Sequence, residues 1–139
     1  MQRKPGFIHY ALNLSALSAL LLLSTVISAY SSNPIEILTS AFRTGDSRTI
    51  AGFFEKSVDL TLMDKEADYS ASQAELMLKD FFQKNPPKSF QLVHQGSNKG
   101  ASFAIGTLIT SNGRHFRVSF HLQQTEGKNI LQEISVQDE

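Results

Sequence analysis

The sequence predicts an α+β domain in which helices near the start of the chain cover one face of an antiparallel sheet near its end. Three observations carry that reading. Residues 102–123, SFAIGTLITSNGRHFRVSFHLQ, read as two long strands joined at Asn112-Gly113, the dipeptide best suited to a two-residue hairpin turn. Residues 33–42 and 72–82 carry capped apolar stripes at helical spacing. Two further alternating segments, residues 89–95 and 130–136, flank the hairpin and complete a set of strands that follows the helices.

The hairpin comes first because its turn fixes a register. A two-residue turn sets Ser111 opposite Arg114, then Ile109 opposite Phe116, Thr107 opposite Val118, Ile105 opposite Phe120 and Phe103 opposite Leu122. All but Thr107 of the last eight are apolar, so that face is expected in the core. The other face pairs Thr110 with His115, Leu108 with Arg117, Gly106 with Ser119 and Ala104 with His121, and is expected to meet water or a partner.

Composition narrows the function classes. The chain has 139 residues, room for one domain and a short extra segment. Basic and acidic groups balance at 13 each. Without Arg3 and Lys4 the remainder holds 11 basic against 13 acidic groups, which offers neither the clustered cations of a nucleic-acid surface nor a polybasic membrane patch. Cysteine is absent, which excludes disulfides, thiolate metal sites and a cysteine nucleophile.

Residues 1–32 read as an export signal. Arg3 and Lys4 precede an apolar stretch over residues 11–27, and small residues follow at Ser28-Ala29 and Ser31-Ser32. The stretch is interrupted by Asn13, Ser15, Ser18, Ser24 and Thr25, and a spanning helix needs about 20 predominantly apolar residues, so cleavage is expected rather than anchoring. The mature domain then covers residues 33–139, with a periplasmic or extracellular destination and no membrane association after cleavage.

Along that domain the local signals are specific. Asn33-Pro34-Ile35-Glu36 starts a helix with a cap, a proline at the first helical position and an acid near the positive dipole end; Gly45 ends it. Asp46 caps a shorter helix through Phe54, weakened at Gly52. Residues 57–63 alternate as a strand, Asp64-Lys65-Glu66 turns, and residues 67–69 return. Ser72 and Glu75 fit a capping box for a helix that buries Ala74, Met77, Leu78, Phe81 and Phe82. Asn85-Pro86-Pro87 ends it. In the strand after it Phe90, Leu92 and His94 share one phase; residues 96–100 form a loop, residues 125–128 turn, and the last strand groups Ile130, Gln132, Ile134 and Val136.

This order over residues 34–136 resembles the nuclear transport factor two-like fold, and more narrowly a family of small exported bacterial proteins of unknown function. The resemblance rests on the helical pair broken at Gly45-Asp46, the strand around residues 58–63, the capped helix and the closing strands. It implies a strongly curved antiparallel sheet forming a cone around the N-terminal helices; a cystatin-like arrangement is the nearest alternative and normally has one helix before its sheet. Such folds host isomerases, dehydratases and hydrolases as well as binding and dimerising modules, so fold leaves function open.

No catalytic residue, metal ligand or cofactor is assigned. His115 and His121 are six strand residues apart, roughly 20 Å, too far to share a metal. No phosphate loop, paired-carboxylate motif or zinc spacing is present in the sequence. The reading is therefore a non-enzymatic module. Tyr69, Phe116, Phe120 and Gln132 are expected to line a cavity for a small apolar ligand, and Leu108, His115, Arg117 and His121 to form a homodimer surface on the outer sheet face. The alternative is a cofactor-free cavity enzyme acting on a hydrophobic molecule, with Tyr69 and Asp59 as its polar groups. A cone filled by Phe116, Phe120 and helix side chains favours the interaction module; an empty one with a buried acid or base favours the enzyme.

Overall fold

A computed structural model describes residues 32–139; the export signal expected at the start of the chain lies outside the described residues. Asn33–Glu139 forms one compact unit. Its elements are α1 (Pro34–Thr44), α2 (Ser47–Ala51), β1 (Ser57–Leu62), β2 (Lys65–Ser70), α3 (Ala71–Lys84), β3 (Pro87–Asn98), β4 (Ala101–Thr110), β5 (His115–Thr125) and β6 (Lys128–Asp138). The six strands make one sheet in the order β2-β1-β6-β5-β4-β3. All neighbours are antiparallel except β1 and β6, which pair in parallel through Leu60 and Ile134.

Each helix end has a local cause. The Asn33 side chain accepts the Ile35 N–H at 3.1 Å, and Gly45 leaves α1 at φ 70°. Asp46 caps α2 by accepting both the backbone N–H and the hydroxyl of Thr49, at 3.0 and 2.6 Å. The hydroxyl first and the N–H second hold the Asp46 carboxyl below its ordinary pKa. α3 starts two residues earlier than its expected cap. Ser70, rather than Ser72, accepts the Gln73 N–H at 3.3 Å, and Gln73 returns its side-chain oxygen to the Ser70 hydroxyl at 3.1 Å. The Ser-x-x-Gln pattern is that of a capping box, with the glutamine oxygen accepting from the cap's hydroxyl instead of its backbone N–H.

The hairpin register differs from the expected one by a single residue. Leu108 faces Phe116, Gly106 faces Val118 and Ala104 faces Phe120, with a three-residue loop, Ser111-Asn112-Gly113, between Thr110 and Arg114. Gly113 sits at φ 82°, which suits the bulge residue of a three-residue loop. Contacts from outside the hairpin account for the extra residue. Ser111 donates its N–H to the Pro86 carbonyl at 2.8 Å, and the Asn112 amide donates to the Asn85 side-chain oxygen at 3.3 Å. Asn112 is therefore held against the end of α3 and is not free to form the two-residue turn.

A one-residue slip inverts a strand. On β5 the expected core set is buried, with Phe116, Val118, Phe120 and Leu122 at 0–2% exposure. On β4 the inward residues are Ala104, Gly106, Leu108 and Thr110, while Phe103, Ile105, Thr107 and Ile109 lie half-buried on the other face. The size of the neighbours explains why. Phe42 of α1 stacks on Phe120 with ring centroids 5.7 Å apart and lies 5.4 Å from Phe90. The Phe90 ring occupies the space that a side chain at Gly106 would take. Small residues on β4 accommodate large rings on α1, β3 and β5.

Three register shifts interrupt the ladders of other strands, the first at Lys88 between the Pro87–Thr110 and Ser89–Ile109 pairs. Val93 is the extra residue between the Leu92–Gly106 and His94–Ile105 pairs, and it sends His94 outwards instead of along the phase of Phe90 and Leu92. Gln132 is the extra residue between the His121–Glu133 and Leu122–Leu131 pairs, so Leu131, not Gln132, joins Ile134 and Val136 inside. Such bulges bend the strands that carry them, consistent with the curvature of the sheet.

Candidate binding surface

The inner face has the chemistry of a core. Phe81 meets Phe116 edge-on at 5.1 Å and Phe82 meets Phe42 at 6.1 Å, so aromatic rings continue from the helices to β5. Among the described residues the buried polar side chains are Thr39, Ser47, Thr61, Asn85 and Thr110, none of which titrates. Among the same residues no buried side-chain nitrogen or oxygen lacks a hydrogen-bond partner. Thr39 donates to the Ile35 carbonyl, and Asn85 donates to the Phe81 carbonyl while accepting from Asn112.

The expected cavity residues separate across the sheet. Phe116 and Phe120 are packed into the core at 0% and 1% exposure, and Tyr69 is half-buried against its margin beside Val58. Gln132 stands exposed at its bulge on the opposite side. Asp59 pairs with Asp68 on the outer face, whereas Tyr69 pairs with Val58, so Tyr69 and Asp59 are on opposite sides and cannot act as an acid–base pair. Of the expected dimer residues, His115, Arg117 and His121 are exposed on the outer face. Leu108 is fully buried, because the slipped register turns it inwards.

The outer face is ordered by column. β4 contributes Phe103, Ile105, Thr107 and Ile109, a mainly apolar stripe. Beside it β5 contributes His115, Arg117, Ser119 and His121. Beyond β5 the surface turns acidic: one row crosses from His121 through Glu133 and Asp59 to Asp68. Glu133 lies 3.4 Å from His121 Nδ1. On the β3 side the row continues through Phe103, whose ring lies over Gly96 and is 5.4 Å from the His94 ring. Phe103 and His94 were not legible as members of this surface, because the first depends on the slip and the second on a bulge, whereas Glu133 keeps the phase opposite Ile134 and Val136 that alternation gives it.

Three of the hollows that border the described residues bear on function. One of about 400 Å³ lies at the far end of the outer face, by Gly96, Asn98, Phe103, His121, Gln123 and Gln132. One of about 440 Å³ lies by Glu55, Lys56, Asp59, Asp68 and Gln132. The third, about 580 Å³, is on the helix side and mixes Asp46 and Glu75 with Arg48 and Lys79. Among the described residues no group of three or more His, Cys, Asp or Glu side chains is placed to hold a metal ion, and no helix is long and apolar enough to cross a membrane.

Residues 35–137 match the model of the family described as Domain of unknown function (DUF4783). The crystal structure of a DUF4783 family protein from Bacteroides ovatus, 28% identical, superposes with a TM-score of 0.70 over 74% of this chain and 93% of that one. A DUF4783 family protein from Bacteroides uniformis, 27% identical, gives 0.73 over 77% and 98%. A nuclear transport factor two-like protein of unknown function from Shewanella baltica, 15% identical, gives 0.58 over 76% and 88% and shares the fold alone. No curated protein matches the chain. The helices leading into one curved six-stranded sheet are thus those of a nuclear transport factor two-like fold, and the chain belongs to the DUF4783 family.

Proposed function

We propose that the protein is an exported, non-enzymatic interaction module that acts through the outer face of its sheet and self-associates there as a two-fold dimer. One observation carries this reading: among the described residues the inner face holds packed aromatic rings and no buried titratable group, while the outer face presents Ile105 and Ile109, with Thr107 between them, in a stripe. Acid–base chemistry needs a titratable group held close to substrate in a shielded site. Among the described residues the interior side chains supply none. A half-buried apolar stripe beside His115 and Arg117 instead suits an isologous contact, in which each copy covers the other's hydrocarbon. The signal-like residues 1–32 support export to the periplasm or beyond.

Light scattering at tens of micromolar protein is expected to give twice the mass of one chain. Ile105→Glu, which puts a charge in the middle of the stripe without entering the core, is expected to give the single-chain mass with unchanged circular dichroism. A wild-type protein that stays at the mass of one chain overturns the dimer, and so does an Ile105→Glu protein that still doubles.

A further inference from the structure

The hollow of about 400 Å³ at the end of the outer face has a lining unlike the rest of the surface. We propose that it is a binding site for a neutral saccharide. The polar side chains of Asn98, His121, Gln123 and Gln132 line it, and no Lys, Arg, Asp or Glu does. Phe103, Leu122 and Ala101 supply the apolar part, which is the larger share of the exposed lining. The Phe103 ring lies over Gly96 on β3, which has no side chain to displace it: an added Cβ there would stand 2.6 Å from Phe103 Cε1.

The lining discriminates between ligand classes. An anion would find no fixed cation, since Glu133 sits 3.4 Å from His121 Nδ1 and offsets any positive charge the ring takes up. A cation would find no carboxylate in the lining. A pure hydrocarbon would cover the apolar part but strip water from three amides, two hydroxyls and an imidazole without replacing their hydrogen bonds, which is costly. A sugar ring presents a C–H face to an aromatic ring and paired hydroxyls at its edge. Each amide offers a donor and an acceptor on one planar group, which matches adjacent hydroxyls. The volume lies within the usual range for small-molecule sites, roughly 300–1,000 Å³.

The backbone places these groups without needing the ligand. Two-residue turns at Lys99-Gly100 and Glu126-Gly127, with positive φ at all four residues, fix the strand ends on either side. The β6 bulge opposite His121 puts Gln132 beside Glu133 on the outer face, where regular pleating would turn it inwards. The site lies at the Phe103 end of the outer face, beyond the Ile105–Ile109 stretch proposed to meet a second copy.

The test is a titration of the 15N-labelled protein with cellobiose, maltose, mannobiose and N,N′-diacetylchitobiose, with glucuronate and benzoate for comparison. At least one neutral disaccharide is expected to shift the amides of Asn98, Phe103, Gln123 and Gln132 saturably. Phe103→Ala and Gln132→Ala are each expected to weaken that binding about tenfold or more. Gln132 is exposed, so its variant stays informative if the Phe103 variant folds poorly. Absence of binding by all four disaccharides up to about 20 mM overturns the proposal, as does equal or tighter binding of glucuronate or benzoate. Binding unaffected by Gln132→Ala overturns it too.

Discussion

Phe42→Ala is expected to destabilise the domain by about 3–5 kcal/mol in urea or thermal unfolding. The ring is fully buried and stands where three other rings meet: stacked on Phe120 at 5.7 Å, tilted against Phe90 at 5.4 Å and edge-on to Phe82 at 6.1 Å. Alanine removes the burial of a large side chain and also leaves a cavity. The cavity cannot easily close, because the rings around it belong to different elements, α3, β3 and β5. Phe42→Leu keeps most of the volume and is expected to cost appreciably less, so the pair separates a packing effect from a loss of aromatic geometry. An alanine variant with a stability loss below about 1 kcal/mol would mean that this position is not central to the core.

The second large effect is expected at Gly106. An alanine Cβ there would stand 2.5 Å from Phe90 Cζ and 2.7 Å from the Gln91 carbonyl oxygen. The ring is wedged in the core and the carbonyl is part of β3, so neither can move freely. Gly106→Ala is expected to cost about 1–3 kcal/mol, overriding the roughly 0.5–1 kcal/mol that alanine ordinarily gains over glycine within a strand. Gly96→Ala is the informative comparison. Its Cβ would meet Phe103 Cε1 at 2.6 Å, a nominal clash of the same size. All three nearest atoms there belong to the half-exposed Phe103 ring, which can swing into solvent. Gly96→Ala is therefore expected to change stability by less than about 1 kcal/mol. Equal costs at the two glycines would contradict the assignment of Gly106 to the inner face and Gly96 to the outer.

Local chemistry made much of the fold readable. The Asn33 and Asp46 caps, the Gly45 stop and the Asn85-Pro86 helix end depend on side chains within a few residues of each other, and each lies where its own sequence puts it. The α3 cap was displaced to Ser70 because Ser70 and Gln73 offer the same pattern as Ser72 and Glu75 two residues earlier. Local spacing alone does not choose between the two.

The register was less readable, and for one reason throughout. Period-two alternation assumes an unbroken ladder, and four irregularities break it: the loop Ser111-Asn112-Gly113, Lys88 and Val93 on β3, and Gln132 on β6. The first is held by Pro86 and Asn85, about 25 residues away in the chain, a tertiary influence on a local turn. The composition of β4 held a signal that could have found it. Ala104 and Gly106 are poor residues for a core stripe by hydrophobicity but the right ones to lie beneath Phe90 and Phe120. Because the candidate surface lies on the outer face, each phase change altered its membership. Leu108 left it, and Phe103, Ile105, Ile109 and His94 joined it. Gln132 moved from the cavity side to the outer trough.

The central claim is that the inside of this sheet is a filled core and that recognition takes place outside it. Nuclear magnetic resonance of the methyl and aromatic carbons under xenon pressure tests that most directly, since xenon enters apolar cavities that water leaves empty. The expected result is no saturable shift at Phe42, Phe90, Leu108, Phe116 or Phe120. Saturable xenon shifts at those side chains would reveal an internal apolar cavity and contradict the account.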